Sequence, residues 1–144
     1  MISCFDTARY FLALVDEDAG DSLSNLKLQK LVYYAQGFHL AVYDEPLFPE
    51  VIRAWRHGPV VPELYHALKQ FGAGPVKMEG EFDVDKYSPN VLGLLEEVFS
   101  VYGQFSALRL RNITHEEPPW MNTPQGDTIS LEAMKVYFKT QVTK

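Results

Sequence analysis

The stretch from Asn25 to Tyr43, NLKLQKLVYYAQGFHLAVY, constrains the fold more than any other part of the chain. At about 100° per residue, Leu28, Leu31, Val32, Ala35, Phe38 and Val42 share one helical face, and Leu26, Tyr33 and Leu40 form a narrower apolar stripe nearly opposite. A helix with two apolar sides must be covered from two directions, so it is predicted to run through the centre of the molecule. Leu23 and Leu28 flank Ser24 as a hydrophobic staple around an N-cap, and Pro46 ends the helix after Tyr43.

The remaining elements are predicted around this axis. Ser3, with Asp6 three residues on, opens a helix whose inner stripe is Phe5, Ala8, Leu12 and Val15 and which stops in Asp16 to Gly20. Val51 to Arg56 is rich in β-branched and aromatic residues and reads as a short extended segment without an obvious partner strand. Pro62 starts a short helix with Leu64, Leu68 and Phe71 on one face and Gly72 at its end. A glycine-rich connector, with a short strand near Phe82, leads to a helix opened by Ser88-Pro89. Val91, Leu94, Leu95, Val98 and Val101 line its buried side up to Gly103. Ser106 to Thr114 forms a fifth helix, closed off by Pro118-Pro119, and Ser130 caps a sixth in which Leu131, Met134 and Phe138 face inward. The expected fold is a mainly α, compact single-domain bundle of about six helices, covering residues 1–144, with a short β segment around residues 51–56.

Charge and cysteine usage narrow the function classes. Thirteen Lys+Arg against nineteen Asp+Glu give a net charge of −6 in 144 residues, which opposes a protein built chiefly to bind a phosphate backbone. The pair Lys27 and Lys30 near a helix start is the one feature that speaks for DNA contact. No apolar stretch reaches the ~18 residues of a membrane span, and the first twenty residues do not read as a secretory signal. Cys4, the single cysteine, fits a reducing cytoplasm and can form no intramolecular disulfide.

Catalytic signatures are sparse. His115-Glu116 has the first letters of a zincin helix, but the second histidine is missing and a proline pair stands in its place. No nucleophile elbow or phosphate-binding glycine loop occurs, and no cofactor is expected. Cys4 lies in the first turn of a helix, a place that can lower a thiol pKa, yet no base is adjacent. His39 falls on the apolar side of the second helix and reads as a buried, hydrogen-bonded histidine. The enzymatic alternative is a hydrolase using His57, His115 and Glu116 as acid-base or metal groups, which requires them to converge in space.

Two clusters concentrate residue types that anchor protein interfaces: Ala54-Trp55-Arg56-His57-Gly58-Pro59-Val60 and Thr114-His115-Glu116-Glu117-Pro118-Pro119-Trp120. Each has a plainer reading. Gly58-Pro59 can simply lead into the helix at Pro62, and Trp120 can pack back beneath a rigid proline pair.

These two clusters, together with Leu26-Lys27-Leu28-Gln29-Lys30-Leu31-Val32-Tyr33-Tyr34-Ala35-Gln36-Gly37 and the closing Ile129 to Phe138 segment, resemble the Panacea antitoxin domain family, which takes in SocA-like and phage-associated GepA-like proteins. His57 stands where that pattern commonly has tyrosine. The resemblance implies a helical antitoxin that neutralises a protein toxin encoded by an adjacent gene, by direct binding or as a proteolytic adaptor to a cellular protease. The pattern fills nearly the whole chain and ends just after Lys139, so the domain surface itself is expected to bind. The candidate contact residues are Trp55, Arg56, His57, Pro59, His115, Glu116 and Trp120. The net charge of −6 suits a basic partner through electrostatic steering.

Overall fold

The computed structural model describes residues 1–15, 20–80 and 82–142. Its elements are α1 (Cys4–Leu14), α2 (Asn25–Tyr43), β1 (Arg53–Trp55), β2 (Gly58–Val60), α3 (Pro62–Leu68), α4 (Pro89–Tyr102), α5 (Ala107–Thr114), α6 (Pro118–Met121) and α7 (Leu131–Lys139), with single 3₁₀ turns at Lys69–Phe71 and Val84–Lys86. The fold is mainly α, with a small antiparallel sheet.

Local chemistry sets most helix starts. Ser3, Ser24, Ser88, Ser106 and Ser130 each cap a helix by accepting from the backbone N–H three residues on, a contact that contributes about 1 kcal/mol. At α1 the box closes in both directions, since the Ser3 N–H donates to Asp6 Oδ2 at 2.9 Å and the Asp6 N–H to Ser3 Oγ at 3.0 Å.

α2 is the axis. Every residue from Leu28 to Gly37 is buried, because α1, α3, α4, α5, α7 and β2 all pack on it. Its closest neighbour is α7: a Cβ on Gly37 would lie 2.1 Å from Phe138 Cε2, so glycine is what lets the Phe138 ring lie against the helix. The Phe138 ring meets Tyr33, Tyr34 and Phe38 edge-on, with centroids 5.4, 5.9 and 4.9 Å away. Edge-to-face pairs at this spacing add to the hydrophobic stabilisation of the core.

Several expectations need correction. The extended segment does have partners: β1 pairs with β2 directly after a tight turn, with Arg53 opposite Val60, Ala54 opposite Pro59 and Trp55 opposite Gly58. On its other side, Ala54 N–H donates to Asp127 O at 2.9 Å and Ile129 N–H to Ile52 O at 2.8 Å, which ties in the segment before α7. Pro118-Pro119 opens the extra turn α6, which brings the helices among the described residues to seven, because proline is tolerated where a helical N–H has no partner. Phe82 is not in a strand; its ring lies 5.6 Å from both Tyr10 and Tyr87. Val42, Val101 and Leu131, expected to face inward, are each more than 40% exposed, since helix ends outrun their neighbours. α1 ends at Leu14, and the stop expected in Asp16 to Ala19 lies outside the described residues.

Candidate functional site

The two sequence clusters meet. The β1–β2 turn is gripped through its backbone by the segment following α5: the Trp120 indole N–H donates to Trp55 O at 2.8 Å, and His115 Nε2 bonds Arg56 O at 3.0 Å. A carbonyl can only accept, so Nε2 carries the proton. The His115 and Trp120 rings pack together with centroids 4.0 Å apart. Trp55, half-buried, sets its ring edge-on to Tyr65 and His66 of α3.

Beneath the turn lies α2. Lys30 is fully buried, and its ammonium nitrogen donates to Pro59 O at 3.1 Å. Gln29 accepts from Val61 N–H at 2.9 Å and donates to Asn25 Oδ1 at 2.9 Å; Asn25 in turn reaches Tyr65 O at 3.2 Å. The polar residues of α2 thus satisfy the backbone of the hairpin exit, as buried polar groups must. Gly58 is required twice: its φ is +109°, and a Cβ would lie 2.8 Å from both Lys30 Cε and Thr114 Oγ1. Farther along the helix, Gln36 holds the loop after α2 in the same way, donating to Phe48 O at 2.9 Å and accepting from Leu47 N–H at 2.7 Å. His39 is buried and bonds Glu45 O through Nδ1 at 2.7 Å, as expected for a histidine on that face.

This geometry redistributes the candidate residues. Arg56, His57 and Glu116 are exposed, and Trp55, His115 and Trp120 are half-buried. Pro59 is buried with its carbonyl on Lys30, so it supports the turn from inside. The Lys27–Lys30 pair is not an exposed basic patch: Lys30 is inside the protein, and Lys27, half-buried, donates to Gly103 O at 2.6 Å.

Burial governs the ionisable groups. Desolvation lowers Lys30 to about 7, with the charge of Arg111 pushing the same way. Burial also pulls His115 below its ordinary value; its bond to Arg56 O opposes this, and the charges of Arg111, Lys30 and His57 add to the depression. Glu117, the N-cap of α6, is buried and raised to about 7 by desolvation, although Tyr34 and Tyr137 hydroxyls donate to its Oε2 at 3.0 and 3.3 Å. Among the described residues, its Oε1 and the nearby Tyr33 hydroxyl are buried without a hydrogen-bond partner. Cys4 is raised by burial and by the Glu50 carboxylate, which keeps it a thiol at the start of α1. No group of three His, Cys, Asp or Glu among the described residues is placed to hold a metal ion, and His115 already spends Nε2 on a backbone carbonyl.

Sequence reasoning missed Gln29 and Gln36, and it named Lys30, Thr114 and Glu117 without their buried supporting roles. Their signal was present as polar side chains inside a helix with no polar side to spare, and as a glutamate next to a proline pair.

The class this arrangement defines is a helical domain whose central helix carries buried polar side chains that brace a surface hairpin. The chain belongs to the SocA-like antitoxin family with a Panacea domain, whose model matches residues 28–121. Antitoxin SocA of Caulobacter vibrioides (strain NA1000 / CB15N) is 42% identical over 50 residues, a match spanning 35% of this chain and 27% of that relative. No solved structure matches significantly. The family-matched span, from Leu28 to Met121, contains both the bracing residues of α2 and the hairpin with its clamp. No helix among the described residues is long and apolar enough to cross a membrane.

Proposed function

We propose that this protein is the antitoxin of a toxin–antitoxin pair and neutralises a protein toxin encoded by an adjacent gene by binding it through the β1–β2 hairpin surface. The observation that carries this reading is the division of labour in the hairpin. Its backbone is held by Lys30, His115 and Trp120, while Arg56 and His57 at the turn are left exposed. A surface loop pre-organised in this way loses little entropy on binding, which favours recognition. Trp and Arg at a rigid, partly exposed edge are the residue types that dominate interface energetics. A stable complex would bury roughly 1,600 Å² in total, far more than the hairpin alone, so neighbouring surface must contribute. Neutralisation of this kind needs no catalytic group, and the buried lone Cys4 suits a reducing cytoplasm.

Co-expression with the adjacent gene in a bacterial host tests the reading. The neighbour's product should arrest growth alone and be tolerated when this protein is present, and replacement of the two exposed turn residues, Arg56→Ala/His57→Ala, should lose the rescue while retaining the wild-type melting profile. A harmless neighbour, or arrest that this protein does not relieve, overturns it. Toxin half-life separates two mechanisms: an unchanged half-life during rescue means masking, and a shortened, protease-dependent one means delivery to a cellular protease.

A further inference from the structure

The hairpin and α5 are acid-free in an acidic chain. No Asp or Glu occurs from Val51 to Pro62 or from Val98 to His115, although the chain has nineteen. Those two stretches carry Arg53, Arg56, His57, Arg109, Arg111 and His115, and the fold sets the stretches side by side, because β2 packs on α5 and His115 bonds the Arg56 carbonyl, with Arg109 on the far side of α5 from Arg111. Among the described residues the ion pairs are Lys86–Asp6 and Lys135–Asp44, so neither Arg56 nor Arg111 has a carboxylate within pairing distance. Among the described residues the Arg111 guanidinium donates to the neutral Asn112 side chain, at 3.3 Å, and to no carboxylate. Charge placed this way is unfavourable for the isolated fold and is relieved by an anionic partner.

Resting on the antitoxin reading above, we propose that the surface centred on Arg56, His57 and Arg111 docks an acidic peptide segment of the protein partner. The cations gathered around His115, Arg56 and His57 on the turn and Arg111 on α5, stand without a counter-charge among the described residues. In sequence the two stretches are bounded by Glu50, Glu63, Glu97 and Glu116, and of these Glu116 directly follows His115 and is exposed at the rim. The net charge of −6 speaks for a basic partner only as a far-field average; at this contact the sign is reversed. A polypeptide is favoured over a nucleic acid because the site offers few cations, with Arg56 and His57 exposed and Arg111 half-buried, whereas a phosphate backbone needs a longer run of positive charge than a chain of net charge −6 supplies.

The probe is a fluorescein-labelled peptide of alternating glutamate and serine, set against a lysine–serine peptide and a DNA duplex, with binding to the full chain followed by fluorescence anisotropy. The glutamate peptide should bind, and its affinity should fall about tenfold or more as ionic strength rises from about 0.05 M to about 0.3 M. Arg56→Glu and Arg111→Glu should each weaken it about tenfold, and Arg111→Lys should keep it within about threefold. Arg109→Glu makes the same change in net charge roughly 200° around α5 from Arg111 and should cost less than about threefold. No binding of the glutamate peptide, an equal loss in Arg109→Glu, or tighter binding of the duplex overturns the proposal. Co-expression separates it from the reading on which it rests. If Arg111→Glu loses the peptide but still relieves growth arrest, the acidic-docking proposal falls and the antitoxin reading stands. If the wild type binds the peptide but relieves no arrest, the antitoxin reading falls and the docking chemistry stands.

Discussion

Lys30 and Glu117 are two charged residues buried against the same stretch of α2. Lys30 and Tyr34 are one turn apart on that helix, and Tyr34 donates to Glu117 at 3.0 Å. They could have been joined as an ion pair, and they are not. Each is held separately, the amine by the Pro59 carbonyl and the carboxyl by tyrosine hydroxyls. Burial drives both toward neutrality from opposite sides, and both arrive at about 7. The difference lies in what surrounds them. Around Glu117 the support is aromatic, with Tyr34 stacked on Tyr102 at 3.9 Å and crossed by Phe138. Around Lys30 the support is backbone, and the group steadies a surface turn. The contrast is between a bracing end at Lys30, where side chain meets main chain, and a packing end at Tyr34, where side chains meet side chains; farther along α2, Gln36 and His39 again brace main chain.

The largest effect should come from breaking the bracing end at Gly58. Gly58→Ala forces a left-handed φ on a Cβ that meets Lys30 and Thr114, and it should cost about 2–4 kcal/mol. Gly126 has a φ of +92° with open space around it, so Gly126→Ala should cost only the backbone strain, about 1 kcal/mol. Chemical denaturation of the two variants reads the difference, and equal losses would mean that the Lys30 pocket yields freely.

Next comes the dependence on pH, where the two ends should pull in opposite directions. The unfolded chain keeps the Lys30 proton up to about 10.5 and the folded protein releases it near 7. Between those values the unfolded state binds more protons, so this group makes stability rise with pH. Folded Glu117 keeps its proton up to about 7, whereas the unfolded carboxyl loses it near 4.5. Between 4.5 and 7 the folded state binds more protons, and stability falls as pH rises. Wild type measured against Lys30→Met should therefore gain above pH 7, and measured against Glu117→Gln should lose between pH 4.5 and 7, each by at most about 1.4 kcal/mol per pH unit. Parallel stability curves for wild type and either variant would contradict the burial described for that residue.

The smallest effect sharpens the role of the clamp. Trp120→Phe keeps an aromatic ring beside His115 but removes the donor to Trp55 O, which should cost about 1 kcal/mol. Because the turn carries the proposed contact residues, this variant should also bind the toxin less tightly. A loss of stability with affinity unchanged would mean that the clamp serves the fold alone.

Much of the architecture was legible because it depends on near neighbours. Each serine cap is a contact across three residues, and the two stripes of α2 are set by helical periodicity alone, so a central helix followed without tertiary information. The extra turn α6 was not legible, since a proline pair reads equally well as the end of one helix or the first turn of the next. The partners of β1 were hidden for a different reason: strands of three residues are too short to show an alternation. In the candidate site, the sequence picked out both clusters but not their union. Trp120 and Trp55 are 65 positions apart and His115 and Arg56 are 59, and what joins them is a side chain on a carbonyl, which leaves no residue-type signature at the accepting end.

From residue types and spacing alone came an acidic, mainly helical chain, its buried axis, its helix starts and the family pattern on which the antitoxin reading rests. Tertiary structure alone decided that Lys30 supports a turn from within, that Pro59 faces the interior, that Glu117 sits among tyrosines, and that the acid-free stretches lie side by side. The physical reason is range. Caps and helical stripes are settled within about one or two turns, whereas burial of a charge depends on which distant segments exclude water from it.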